Sequence, residues 1–497
     1  MSVVPAGLHF TADLYDRLGL TAGADTRTIR QRFRRLARLY HPDQNPSPTA
    51  HERFLALQAA YDVLNSSRTR AEYERWLVAQ DPPVRPIEMD VRPGPTSLHA
   101  GLDRQRLYLL VTFKTTLDQS GLESPVNLTL VLDCSSSMRG ERLHQSKHAA
   151  YAITEQLGPR DVFAITCFND RARVILPPHR GPQLRVVRSA LEGLDASGGT
   201  EIAAGLETGF EQVRRLARPD VLSHLILLTD GQTYGDEARA LELVDRARTD
   251  QIGFTALGIG NDWNDVFLDE LAARACGRAH HIAQSSDAVA VFERRLHQLQ
   301  QTTARNATLS FEPGPQVTVL EWHEVAPELR RLTPQAGAAM LGAVAAGPPL
   351  NVLIDLVVSS AHELLLVGDL SLQATLRQSG HVAHIQQPVV MTRQAGTGQM
   401  PPEIFEAAQR VAMLRLQERA WQAAAVGDVT SARRNLGLLA TRFLEMGEVE
   451  LARTTQRELE IIAATGQLSP DGSKRIKYGS RDLGLPPPNG RNRDRVP

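Results

Sequence analysis

The sequence predicts a multidomain protein: an all-α N-terminal module, an α/β doubly wound domain flanked by a β-sandwich, and a C-terminal helical bundle. Apolar residues recur at helical spacing on both sides of a His-Pro-Asp tripeptide near the N-terminus. From Val126 to Leu299, short apolar runs alternate with helical segments, the pattern of a mainly parallel sheet covered on both faces. From Pro401 the composition turns to Ala, Leu, Glu and Arg, which favours helix. At 497 residues the chain has room for about three domains.

In the first module, Thr26 to Tyr40 places Ile29, Phe33, Leu36 and Tyr40 on one apolar helical face. Arg27, Arg30, Arg34 and Arg38 fall three and four apart on another face and form a basic stripe. Pro42 cannot continue the helix and biases His41 toward extended geometry. A second helix, about Thr49 to Asn65, carries Phe54, Leu57, Tyr61 and Leu64 inward. The expectation is a helical hairpin with His41-Pro42-Asp43 at its tip.

This pattern resembles a J-domain, the module by which DnaJ-type co-chaperones engage DnaK-type heat-shock ATPases. The resemblance includes Asp13 to Leu20, Ile29 to Asn45 and Tyr61-Asp62-Val63-Leu64, and places a J-domain at residues 8–78. It implies that His41, Pro42 and Asp43 trigger ATP hydrolysis by the partner, with Arg30, Arg34, Arg35 and Arg38 as electrostatic contacts. Ser66-Ser67 depart from the family, which has an acidic residue there; Arg70 and Tyr73 match. A basic stripe can also mark nucleic-acid binding, but Lys+Arg (55) and Asp+Glu (56) balance across the chain, so no nucleic-acid partner is expected.

Three cysteines, Cys134, Cys167 and Cys276, without CxxC spacing suggest neither a disulfide framework nor a zinc site. The N-terminal residues lack the pattern of a signal peptide, and no apolar run reaches about 18 residues, so no membrane association is expected. The expected location is cytoplasmic. Five prolines between Asp81 and Pro95 predict an extended linker at 79–97 and a tethered, mobile first module.

In the α/β domain the expected strands are Asn127–Leu132, Asp161–Phe168, Leu222–Leu228, Gly253–Ile259 and His280–Ile282. Ligands on such sheets bind at the carboxyl ends of strands. There the sequence sets Asp133-Cys134-Ser135-Ser136-Ser137, Ser197-Gly198-Gly199-Thr200 and Thr229-Asp230-Gly231. Three hydroxyls and two carboxylates make an oxygen-only donor set suited to a hard cation such as Mg²⁺. Neutral hydroxyls leave much of the ion's charge uncompensated, so an outside carboxylate is attracted to an open position.

The DxSxS pattern, a later loop threonine and then an aspartate resemble the metal-ion-dependent adhesion site of von Willebrand factor A domains, over about Pro125 to Leu299. The resemblance implies a domain at 125–302 in which Asp133, Ser135, Ser137, Thr200 and Asp230 hold Mg²⁺, with Mn²⁺ as the alternative. Cys134 falls in a variable position. No GxSxG elbow, P-loop or His/Cys nucleophile pattern accompanies the site, so the metal is read as a ligand-binding device and the protein as no enzyme.

Strand-like runs flank this domain at Arg106–Lys114 and again at Ala307–Phe311, Val317–Trp322, Leu350–Ser359 and Leu364–Leu376, predicting a sandwich from 98–124 and 303–395. A short repeat, Gly427-Asp428-Val429 and Gly447-Glu448-Val449, each with an Ala-Arg pair close behind, predicts successive helices within a bundle at 400–466. The polar residues 467–497 are expected to be a disordered tail. Together these features suggest a co-chaperone adaptor: a client Asp or Glu completes the Mg²⁺ shell while the J-domain recruits and stimulates a DnaK-type ATPase. The alternatives are a metal-dependent scaffold whose hairpin only docks, and a metal-dependent hydrolase, which lacks a positioned acid or nucleophile.

Overall fold

The computed structural model describes residues 14–41, 43, 45, 48–78, 87–115, 125–218, 221–233, 235–260, 263–275, 277–282, 285–359, 362–377, 379–396, 398–481 and 483. The N-terminal module is α1 (Leu14–Arg17), α2 (Thr26–Leu39), α3 (Pro48–Leu64) and α4 (Ser67–Val78). Asp25 caps α2 by accepting from the Thr28 amide at 2.6 Å. Stacking of Phe33 on Tyr61, ring centres 4.1 Å apart, closes the α2–α3 hairpin over Ile29, Leu36, Leu57 and Leu64.

The chain continues with β1 (Ile87–Gly94), β2 (Leu98–His99) and β3 (Arg104–Thr115). Strand β1 pairs along its whole length with β3, from Ile87 opposite Thr115 to Gly94 opposite Tyr108. The expected linker at 79–97 is therefore half sandwich: alternate residues Ile87, Met89 and Val91 contribute to a buried face, which proline content alone does not reveal. Residues 79–86 lie outside the described residues.

The α/β domain contains β4 (Val126–Asp133), α5 (Glu141–Gln156), β5 (Val162–Phe168), β6 (Ala172–Arg180), α6 (Leu184–Glu192), α7 (Ile202–Arg215), β7 (Leu222–Thr229), α8 (Glu237–Thr249), β8 (Gly253–Ile259), α9 (Asp265–Arg274), β9 (Arg278–Ile282) and α10 (Ser285–Gln300). The sheet order is β6-β5-β4-β7-β8-β9. All pairs are parallel except β6, an antiparallel edge strand. The central strands β4, β5 and β7 are buried at every residue, as two helical layers require. The sequence reading did not include strand β6 and helix α6; β6 is an edge strand on which only Leu176 is buried, so it lacks the continuous buried run of its neighbours.

The second flank adds β10 (Thr302–Pro313), β11 (Val317–Ala326), β12 (Arg330–Leu332), β13 (Ala338–Ala345), β14 (Leu350–Ser359), β15 (Leu364–Leu376) and β16 (Val382–Gln394). Two five-stranded sheets result, β1-β3-β14-β11-β12 and β13-β10-β15-β16-β2. Their facing side chains, among them Phe113, Phe311, Trp322, Ile354 and Leu370, form one core.

Helices α11 (Pro402–Ala425), α12 (Val429–Glu445), α13 (Val449–Thr465) and α14 (Pro470–Arg481) complete the fold. Both repeat units mark helix junctions: Gly427 and Gly447 each have φ +78°, a left-handed turn that glycine adopts without a Cβ penalty. Residues 470–481, expected within a disordered tail, are helical. Ile476 is buried against α12 and α13, Tyr478 against the α/β domain. The charges that suggested a solvated tail are consumed there: Lys474 Nζ donates to the Trp263 carbonyl at 2.7 Å, and Arg481 forks onto Asp269 at 2.8 and 2.9 Å.

The N-terminal module is also not a free tether. Tyr40 Oη, Thr49 and Arg53 face Asp369 and Glu312 of the sandwich, and Leu366 and Val390 join the module's apolar core.

Candidate functional sites

The first site is the tip of the α2–α3 hairpin. Tyr40 ends α2, its amide donating to the Leu36 carbonyl. The chain is held beyond it by the Asn45 amide donating to the His41 carbonyl at 2.9 Å. His41 Nδ1 lies 3.5 Å from Asp43 Oδ2, and both side chains are solvent-facing, 49% and 85% exposed. The His41 ring meets Phe54 edge-on with centres 6.0 Å apart, so α3 sets its orientation. Pro42 lies outside the described residues.

Arg30, Arg34, Arg35 and Arg38 are all exposed on α2. Arg30 Nε donates to Asn65 Oδ1 at 2.7 Å, which ties the stripe to the end of α3. The arginines divide by face: Arg17 and Arg53 line the seam with the sandwich, while the stripe and His41 stay open. Docking therefore leaves the expected partner-binding surface accessible.

The second site lies at the carboxyl edge of the parallel sheet. Asp133 ends β4, Thr229 ends β7, and Asp230 comes at once after it, so neighbouring parallel strands deliver both carboxylates to one edge. Asp133 is fully buried; it accepts from the Ser135 amide at 2.8 Å and from Thr229 Oγ1 at 2.6 Å. The Ser135 and Ser137 hydroxyls are 3.0 Å apart. Burial pushes the Asp133 carboxyl up to about 6, partly opposed by the bonds from Thr229 and Ser135; the charge of Asp230 adds to the rise.

The Thr200 loop is laced to this turn. Ser136 Oγ donates to the Gly198 carbonyl at 2.9 Å, and the Ser197 amide donates to the Cys134 carbonyl at 2.8 Å. Gly198 has φ +80°, and a Cβ there would stand 2.2 Å from an Asp170 carboxylate oxygen, so the loop requires glycine. Thr200 is 7% exposed. Cys134 is buried in the core beneath the turn. Asp230 is supported from behind by the Asn264 amide, 3.2 Å from its carbonyl, in the segment whose Trp263 carbonyl accepts from Lys474 of α14.

Asp133, Ser135, Ser137 and Asp230 thus lie at one strand edge, and the loop that carries Thr200 is fastened to the serine turn. Among the described residues no group of three or more His, Cys, Asp and Glu is placed to hold a metal, so a cation here would depend on hydroxyls, a hard-ion donor set. One participant carries no sequence signal: Arg142, whose Nη1 lies 3.2 Å from Asp230 Oδ2. Thr229, named only as part of the Thr229-Asp230-Gly231 turn, proves to donate to Asp133. No local motif marks either contact, since both are made across elements.

Three family models match the chain: a DnaJ domain over residues 13–74, a von Willebrand factor type A domain over 127–301, and a Sll0103-like C-terminal alpha-helical domain over 402–486. The uncharacterized protein sll0103 of Synechocystis sp. (strain ATCC 27184 / PCC 6803 / Kazusa) is 28% identical over 327 residues, 63% of this chain and 77% of its own length. The uncharacterized protein YfbK of Escherichia coli (strain K12) is 27% identical over 221 residues, 43% of this chain and 38% of its own. The chaperone protein DnaJ of Trichormus variabilis (strain ATCC 29413 / PCC 7937) is 50% identical over 64 residues, 13% of this chain and 17% of its own. The chain thus spans well under half of these last two relatives. Among solved structures, a von Willebrand factor type A protein from Catenulispora acidiphila superposes with TM-score 0.64 at 19% identity, covering 80% of this chain and 96% of that one, a likeness of fold.

Proposed function

From a chain that joins a DnaJ domain to a von Willebrand factor type A domain and a Sll0103-like helical domain, we propose a co-chaperone adaptor that captures a protein client and recruits a DnaK-type ATPase to it. The observation that carries this reading is the exposure of His41, Asp43, Arg30, Arg34, Arg35 and Arg38 while the opposite side of the module is docked on the sandwich. The open face has the chemistry of an electrostatic docking surface. On this reading His41, Pro42 and Asp43 trigger the partner's hydrolysis, and the chain itself catalyses nothing.

Asp133, Ser135, Ser137, Thr200 and Asp230 would hold Mg²⁺, or Mn²⁺ in its place. The ion would supply an electrophilic position for an Asp or Glu of the client. What the chain itself does there is structural. Strands β4 and β7 aim the carboxylates, Ser136 fastens the Thr200 loop to the serine turn, and burial strips water from Asp133. Among the described residues no helix is long and apolar enough to cross a membrane. The proposed place of action is the cytoplasm, where a DnaK-type partner finds ATP.

The decisive experiment is single-turnover ATP hydrolysis by the cognate DnaK-type chaperone, with wild-type protein and with His41→Gln. Stimulation that disappears in the variant is the expected result. Equal rates with wild type, with His41→Gln and without either protein would overturn the activating role and leave a docking scaffold.

A further inference from the structure

Two carboxylates buried at one strand edge need counter-charge, because a desolvated pair of like charges is costly. Among the described residues, Arg142 is ion-paired with Asp230, at 3.2 Å, and no basic side chain is paired with Asp133. Arg142 stands in the first turn of α5, directly after the serine turn. Its Nη1 donates to Asp230 Oδ2 and also to the Ser137 carbonyl, at 3.3 Å. The guanidinium therefore bridges two of the segments that carry the candidate metal-binding oxygens.

Its position is built into the fold. Gly260 comes directly after β8 with φ +82°, and a Cβ there would stand 2.9 Å from Arg142 Nε. The positive φ favours glycine, which leaves room for the guanidinium beside it. The Arg142 side chain is 27% exposed and Asp230 is not exposed at all, so solvent screens this pair only in part.

A guanidinium and a divalent ion compete for the same resource. Both seek the Asp230 oxygens, and their like charges repel at short range in a partly desolvated site. We infer that Arg142 is an internal counter-cation, which holds Asp230 in the ion-free protein and gives it up when a divalent ion binds, and so sets the metal affinity of the site. This inference rests on the metal reading above and adds a regulator to it. The guanidinium supplies Asp230 with counter-charge without metal, at the expense of affinity.

The test is Mn²⁺ titration of the full-length protein, with free Mn²⁺ tracked by electron paramagnetic resonance. Wild type, Arg142→Gln, Arg142→Lys and Asp133→Ala are compared. Arg142→Gln is expected to bind Mn²⁺ about tenfold more tightly than wild type, Arg142→Lys close to wild type, and Asp133→Ala not at all. In EDTA the Arg142→Gln protein is expected to melt below wild type, because Asp230 has lost its counter-charge, and saturating Mn²⁺ should narrow that gap. If Arg142→Gln does not fold without metal, refolding in Mn²⁺ and then competition with EDTA gives the same comparison. Equal or weaker binding by Arg142→Gln overturns the inference and leaves the metal reading standing. Absence of Mn²⁺ binding by every variant and by wild type overturns both.

Discussion

The Tyr40 hydroxyl donates to the carboxylate of Asp369 across the boundary between the J-domain and the sandwich, 2.6 and 2.7 Å from its two oxygens. Tyr40 is 2% exposed and Asp369 7%, so the bond is made out of water. Tyr40 lies one residue before His41, and its bond thereby anchors the base of the hairpin tip to strand β15. Tyr40→Phe leaves a buried carboxylate short of a donor, and Asp369→Ala leaves a buried hydroxyl without its acceptor. Each is expected to weaken docking by about 1–3 kcal/mol. Amide hydrogen exchange should rise in α2 and α3 and across β15, with α7 and β4 unchanged.

Docking should also respond to pH. Burial raises the Asp369 carboxyl from 3.8 to about 6; the Arg53 charge and the Tyr40 bond lower it, and the Glu312 charge raises it. If undocking returns Asp369 to water, the docked state holds the proton more tightly. The contribution is then fully present below about 3.8 and is lost as pH rises through about 6. Docking is expected to tighten on acidification from pH 7 to pH 5, read as the distance between spin labels on the J-domain and the sandwich. An Asp369→Asn protein should show no such trend.

Engagement of the ATPase through exposed arginines should be salt-sensitive, since the Debye length is about 10 Å at 0.1 M ionic strength. Affinity for the DnaK-type partner is expected to fall steadily between 50 and 300 mM salt, roughly. The fall should be shallower in Arg34→Gln/Arg38→Gln. Surface plasmon resonance at several ionic strengths measures the slope, and an unchanged slope in the double variant would remove these two arginines from the contact.

The C-terminal helix should matter to the α/β domain beyond its own stability. Arg481 forks onto Asp269 and Lys477 sits 2.8 Å from the same carboxylate, each about a quarter exposed or less. These bonds hold the Asp269 carboxyl below its ordinary value against the opposing effect of burial. Asp269→Asn is expected to cost about 1.5–3 kcal/mol in chemical denaturation. Because Lys474 is bonded to Trp263 and Asn264 supports Asp230, ending the chain at 469 should also loosen the strand-edge site, visible as weaker Mn²⁺ binding.

Some of this architecture is written in short stretches of sequence. The J-domain hairpin is legible because its helices carry the 3.6-residue period themselves and Pro42 stops the first of them. The strand-edge site is legible because a buried parallel strand is a continuous apolar run, and the chain must turn where that run ends; Asp133, Ser135, Ser137 and Asp230 stand in those turns. Helix α14 is hidden for the opposite reason. Its polar side chains are satisfied by partners elsewhere, as Lys474 is by the Trp263 carbonyl, so composition reads as solvated a segment that packing makes ordered.

By itself, then, the sequence determined the kinds of unit, their order, and the residues that local turns present at each site. Only the tertiary structure decided how those units meet. Tyr40 finds Asp369 across 329 residues, and Arg142 finds Asp230 across 88. Neither contact leaves a periodicity or a motif in the chain, because each depends on where sheets and helices close on one another. Those same contacts convert an expected mobile tether into a seated module and give the strand-edge carboxylates an internal cation.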